Sequence, residues 1–194
     1  MDAIRPYAQR DKERVRQICL KNADCLYAPE DTKKYILLMY CDYYIEQEPE
    51  SCFVAVDDND NAVGYIICAK DYEQYAKTFR EKYLPQADAI SSKRFVDARL
   101  DLLSHAMFKS LYPAHFHIDI DEEYQRRGYG SLLISALRMH LKAKGVNGMM
   151  MVCGADNQLA INFYKKNGFK TLLTTKVGKA MALDFDEAPS SKSQ

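Results

Sequence analysis

The stretch "HIDIDEEYQRRGYGSLL" (residues 117–133) changes character in its middle. His117 to Ile120 alternate polar and apolar side chains, the period of a strand. Gln125, Arg126, Arg127, Gly128, Tyr129 and Gly130 follow, and from Ser131 a leucine-rich run at helical spacing continues to Gly145, which suits a helix C-cap. A helix start carries unpaired backbone N–H groups and the positive end of the helix dipole. A glycine-rich turn lets that backbone come close to a phosphate. Residues 125–131 therefore form a candidate pyrophosphate cradle, with Gly128 and Gly130 clearing the approach and Arg126 and Arg127 adding charge. An ordinary tight strand-to-helix turn with solvated arginines gives the same string, and the G-x-G spacing alone does not choose between the two. A P-loop is excluded, because no G-x-x-x-x-G-K-[ST] occurs. A dinucleotide fingerprint is excluded too, because Leu133 stands where its third glycine belongs.

Outward from this stretch the chain alternates strands and helices. Residues 3–11 contain a short edge strand, since Pro6 cannot donate to a ladder. Residues 11–23 and 29–48 read as helices, the second capped by Asp31 or Thr32 and apolar nearly all round. Residues 51–70 read as a hairpin about Asp57 to Asn61. Residues 71–83 and 93–108 read as helices split at Leu84-Pro85. A strand (114–120), a helix (130–144), a buried strand (148–154), a short helix (156–167) closed by Gly168 and a final hairpin (169–185) complete the pattern. No internal repeat or linker divides it. The expectation is one mixed α/β (α+β) domain over 1–187, with a disordered tail at 188–194.

The chain has 194 residues, and its 27 basic side chains balance 27 acidic ones. Zero net charge and the lack of a basic stripe disfavour nucleic acid and anionic membrane surfaces as partners. No signal pattern and no apolar run of membrane-spanning length is visible, which points to a cytoplasmic location. The six cysteines are scattered without a C-x-x-C pair and read as reduced thiols, mostly in the core. No metal-site spacing is present, so no metal is expected.

Two motifs carry a family resemblance. Residues 125–130, Gln-Arg-Arg-Gly-Tyr-Gly, resemble the Q/R-x-x-G-x-G/A motif of the GNAT superfamily of acyl-CoA-dependent N-acetyltransferases. Residues 157–169, from Asn157 through Ala160 and Tyr164 to Gly168 and Phe169, resemble that family's N-x-x-A-x-x-x-Y-x-x-x-G-F segment. The motifs cover roughly 114–170, and the order of elements matches over most of 2–186. More loosely, "YPAHFHIDI" and the cradle are similar to the acetyltransferase-like C-terminal domain of O-GlcNAcases and their bacterial relatives.

The resemblance implies a mostly antiparallel sheet of about seven strands, helices on both faces, and a bulged fourth strand that splays from the fifth. Acetyl-CoA would be the cosubstrate. Its pantetheine arm would lie in the gap along Ile118, Asp119 and Ile120. Its pyrophosphate would rest on the N–H groups of Arg126 to Ser131, that is Arg126, Arg127, Gly128, Tyr129, Gly130 and Ser131, with Gln125 in the same cradle. Asn157 would bond the pantetheine amides, cap its helix, or do both. Tyr164 would protonate the departing thiolate. A ring packed in the core is the alternative for that tyrosine.

Asp119 is the candidate general base, with His117 or a water chain as alternatives. A carboxylate there departs from the small or apolar residue common in the family. His115, His117 and Asp119 share one strand face. Asp121, Glu122 and Glu123 read as capping or solvating the turn. Tyr27, Tyr35, Met39, Tyr43 and Tyr112 are candidates for the acceptor wall. Cys153 is the alternative covalent nucleophile, although spacing puts no histidine beside it. The implied activity is acetyl transfer to a primary amine of a small molecule or protein, by direct attack in a ternary complex. The rival reading is a CoA-binding or interaction module that has kept the fold and lost the activity. Monomer and homodimer both remain open, as does a lid or oligomer role for the long segment 71–112.

Overall fold

The computed structural model describes residues 3–90 and 102–186. Strands β1 (Ile4–Pro6), β2 (Phe53–Val56), β3 (Ala62–Ala69), β4 (Ala114–Ile120), β5 (Gly148–Gly154), β6 (Lys170–Thr174) and β7 (Gly178–Asp184) form one seven-stranded sheet. Their order is β1-β2-β3-β4-β5-β7-β6, and only β4 and β5 run parallel. The expected mixed sheet in a single α/β domain is observed.

Alternation along the strands assigns side chains to two faces. Tyr65, Ile67 and Ala69 point into a core built with α1 (Lys12–Asn22), α2 (Glu30–Tyr40), α3 (Asp42–Gln47), α4 (Tyr72–Thr78) and α5 (Leu84–Ile90). Ile66, Cys68, Phe116, Met149 and Met151 point the other way, against α6 (Tyr129–Ala143) and α7 (Gln158–Lys166). Helices therefore cover both faces, as expected. Gly145 and Gly168 take φ values of +77° and +89° just past α6 and α7, the left-handed stop that only glycine adopts freely.

Two helix readings need correction. The single helix expected over 29–48 is broken at Cys41, whose φ of −139° takes it out of the helical region. Pro29, rather than Asp31 or Thr32, stands at its N-cap and accepts the first amides. The helix expected to end before Leu84-Pro85 runs on instead. Residues Phe79–Tyr83 form a π-helical turn that bonds Leu84 N–H to the Phe79 carbonyl, and this widening lets Pro85 enter without breaking the run. Of the helix expected over 93–108, residues 102–106 are helical and 93–101 lie outside the described residues, as does the 188–194 tail. No helix among the described residues is long and apolar enough to cross a membrane.

Candidate functional site

β4 and β5 pair at Ala114↔Met149 and His115↔Met150 only. Beyond these the strands part. β4 stays on β3 as far as Gly64↔Ile120, and β5 stays on β7 as far as Gly154↔Gly178. The expected bulge in β4 is absent. Its register with β3 is unbroken, so the splay comes from the divergence of two intact half-sheets.

At the open end of β4 the chain makes a short 3₁₀ turn (Glu122–Tyr124) and then the arginine-glycine bend. Gln125 Nε2 donates back to the Ile120 carbonyl at 3.0 Å. Arg126 and Gly128 both take left-handed conformations, with φ of +61° and +89°. Such turns curl successive N–H groups toward one concave side. Among the described residues, the N–H groups of Arg126, Arg127, Gly128, Tyr129 and Gly130 meet no hydrogen-bond acceptor, and Gly128 is the N-cap of the 15-residue α6. The Arg127 guanidinium stacks 5.0 Å over the Tyr124 ring. Arg126 and Ser131 are exposed, and Tyr129 is half-buried.

The glycines differ in their reasons. A Cβ on Gly128 would meet nothing within 4 Å, so its backbone angle is what requires glycine. A Cβ on Gly130 would come 2.8 Å from the Phe163 ring. Gly130 is therefore small to let α7 pack on α6, whereas Gly128 is required by its backbone angle.

Asp121 also departs from expectation. It is 5% exposed and accepts from Arg14 (2.6 Å) and Lys21 (2.5 Å) of α1, while its own N–H donates to the Val63 carbonyl. Burial raises its pKa, but the two cations outweigh that and leave it below the ordinary value. Asp121 thus ties the start of the cradle to α1, whereas Glu122 and Glu123 are exposed.

Ile118 and Ile120 pack on the α6–α7 face, and Asp119 faces the α1–α3 side together with His115 and His117, as the period of two requires. The half-buried Asp119 receives a hydrogen bond at Oδ2 from the hydroxyl of Tyr65, its register partner on β3. Oδ1 has no hydrogen-bond partner among the described residues. Burial pushes the Asp119 carboxyl up to about 7, with the Tyr65 bond pulling against it. His117 Nε2 lies 3.1 Å from the Tyr44 hydroxyl. His115 is sealed in the core with neither ring nitrogen hydrogen-bonded among the described residues, and burial drives its pKa well down.

Tyr164 sits on α7, its ring packed against Phe116, Phe163 and Phe169 and only 7% exposed. Its hydroxyl has no hydrogen-bond partner among the described residues. Burial raises its pKa first of all, and the charges of Asp119 on β4 and Cys153 on β5 raise it further. The phenol therefore lies within electrostatic reach of both splayed strands and is fully protonated at neutral pH. Asn157 Oδ1 caps α7 by accepting from Ala160 N–H at 3.0 Å.

A cavity of about 340 Å³ opens beside the gap, lined by Tyr40, Ser104, His117, Val152, Cys153 and Thr175 among others. The five aromatic and methionine side chains expected on an acceptor wall are not part of it. Tyr35, Met39 and Tyr43 are core, Tyr112 is buried and bonds Asp184, and Tyr27 is 95% exposed. Helix spacing could not separate these from Tyr40, one step further round α2. His117 and Cys153 do share this wall, a meeting that spacing did not foresee. The Cys153 thiol is raised by burial, with Lys179 pulling against it. Among the described residues no cluster of three or more His, Cys, Asp or Glu side chains could hold a metal ion.

The model of the Acetyltransferase (GNAT) family matches residues 15–169. The N-alpha-acetyltransferase 30 of Schizosaccharomyces pombe is 24% identical over 87% of this chain and 84% of its own length. A mycothiol acetyltransferase of Nocardia farcinica is 42% identical over 52 residues, 27% of this chain, and the match spans only 17% of that protein. The crystal structure of SsHAT superposes with a TM-score of 0.85 at 26% identity, over 95% of this chain and 98% of that one. The similarity to O-GlcNAcases in particular finds no specific support in these matches.

Proposed function

This chain belongs to the GNAT family of acetyltransferases, and on that premise we propose that it moves an acetyl group from acetyl-CoA to a primary amine by direct attack in a ternary complex. The observation that carries the reading is the row of N–H groups at Arg126 to Gly130 that meet no acceptor among the described residues, set at the mouth of a gap that Tyr164 and Asp119 approach from two elements. The row suits the two charges of a pyrophosphate. The gap suits an extended amide-bearing arm, which adds to a sheet edge as a strand would. Ile118, Asp119 and Ile120 would line that arm, with Gln125 and Ser131 at the cradle's two ends and Asn157 across the gap.

In this reading an unprotonated amine attacks the thioester carbonyl, forming the N–C bond. Asp119 takes a proton from that nitrogen, and its elevated pKa suits a base that works near neutrality. The C–S bond then breaks, and the Tyr164 hydroxyl gives its proton to the departing sulfur. The Asp119 proton leaves to solvent and Tyr164 regains one from it, so the enzyme returns to its starting state. Direct attack is preferred to an acyl-enzyme on Cys153 because burial holds that thiol protonated. The cavity beside Cys153 and His117 would receive the acceptor, a small molecule or the side chain of a protein.

Calorimetry with acetyl-CoA and turnover of a panel of primary amines test the proposal. Tyr164→Phe should bind acetyl-CoA as the native protein does and lose on the order of 10²-fold in rate. An unchanged rate removes Tyr164 from the chemistry. Binding without turnover of any amine would leave a CoA-binding module instead.

A further inference from the structure

Tyr65 belongs to neither family motif, yet among the described residues it is the one side chain bonded to the Asp119 carboxylate. It is wholly buried on β3, directly opposite Asp119 in the β3–β4 register, and its ring is packed in the α1–α5 core. A phenol so fixed has little freedom to turn away. Its bond occupies Oδ2 and leaves Oδ1 without a hydrogen-bond partner among the described residues.

We propose that Tyr65 is the positioning residue of the proton acceptor: it holds Asp119 by Oδ2 in one rotamer, so that Oδ1 alone takes the proton of the attacking amine. The inference rests on Asp119 being the base. A hydrogen bond to the ionised form also favours that form, so Tyr65 sets the pH at which the base becomes available. The groups facing the pair are few. Cys19 of α1 and Cys41 at the α2–α3 junction lie beside Tyr65, Tyr164 of α7 lies within reach of Asp119, and His117 precedes Asp119 by two residues on β4. No lysine or arginine acts on Asp119 among the described residues, so nothing else stabilises the carboxylate if Tyr65 is lost.

The test is a ¹³C-carboxyl NMR titration of the protein labelled at aspartate, with the Asp119 signal identified by its loss in Asp119→Asn. The native midpoint is expected near 7. Tyr65→Phe should raise it by about one to two pH units, the size of a hydrogen bond to a charged group. Replacement of Tyr65 by 3-fluorotyrosine, which is nearly isosteric and a stronger donor, should lower it, and this variant serves if the phenylalanine one fails to fold. The acid limb of the pH–rate profile, measured with acetyl-CoA and the best amine of the panel, should move with the NMR midpoint. A role confined to packing lowers the rate by the same factor at every pH and leaves midpoint and limb in place; that result overturns the proposal. Wild-type turnover in Asp119→Asn overturns the base assignment itself, and with it this inference, even where the midpoints move as expected.

Discussion

A Cβ on Gly130 would come within 2.8 Å of the Phe163 ring. The first turn of α6 and the middle of α7 therefore meet backbone to ring, and Phe163 in turn touches Tyr164 with ring centroids 5.2 Å apart. Gly130→Ala should push Phe163 aside at a cost of about 1–3 kcal/mol, the usual penalty of overpacking. Urea denaturation measures it. Adding Phe163→Leu should recover part of the loss, because the smaller side chain leaves room for the methyl.

Gly128 is constrained by conformation rather than by space, so its substitutions should rank by their tolerance of positive φ. Gly128→Asn should be milder than Gly128→Ala, and Gly128→Val the most severe, with strain on the order of 1–2 kcal/mol for a β-carbon in that region. Calorimetry with acetyl-CoA should give the same order of weakening affinity. Equal affinity across the three would count against a cradle at this turn.

Asp119 makes stability depend on pH in an unusual direction. Its carboxyl titrates from 3.8 when unfolded and at about 7 when folded. Between those values the folded state holds the extra proton, so stability from this group is present at acid pH and falls as pH rises toward 7. The span corresponds to on the order of 4 kcal/mol. Thermal melts of Asp119→Asn should lack this decline and exceed the native protein's most clearly above pH 7.

Asp121 works in the opposite sense. Its folded pKa lies below 3.8, so its contribution is present above that value and is lost as pH falls through the folded pKa. Asp121→Asn should cost about 1–2 kcal/mol at neutral pH, since Arg14 and Lys21 are partly exposed and can recover water. The same variant should loosen the cradle, which a rise in the KM for acetyl-CoA would reveal.

The middle of the chain was legible because its signals are local. The change of period at Ile120, the glycines at 128, 145 and 168 and the Asn157 cap each act within a few residues of themselves. The splay of β4 from β5 and the covering helices followed from the family resemblance. What could not be read depends on distant partners. Tyr65 and Asp119 are 54 residues apart, and nothing near either announces the bond. Asp121 is tied to α1 side chains 100 and 107 residues away, so a carboxylate that reads as solvated is buried. Tyr40 and Tyr43 lie three positions apart on either side of the break at Cys41, and one lines the cavity while the other is core.

The two halves of the sheet are joined by two rungs, Ala114 to Met149 and His115 to Met150. Past those rungs the sheet itself adds nothing to resist their parting, so the seam is where the fold should breathe first. A molecule spanning it would act as a splint, adding hydrogen bonds between edges that share none. Occupancy and rigidity would then rise together, and amide exchange on the β4 and β5 edges should slow over the same titration that saturates the site.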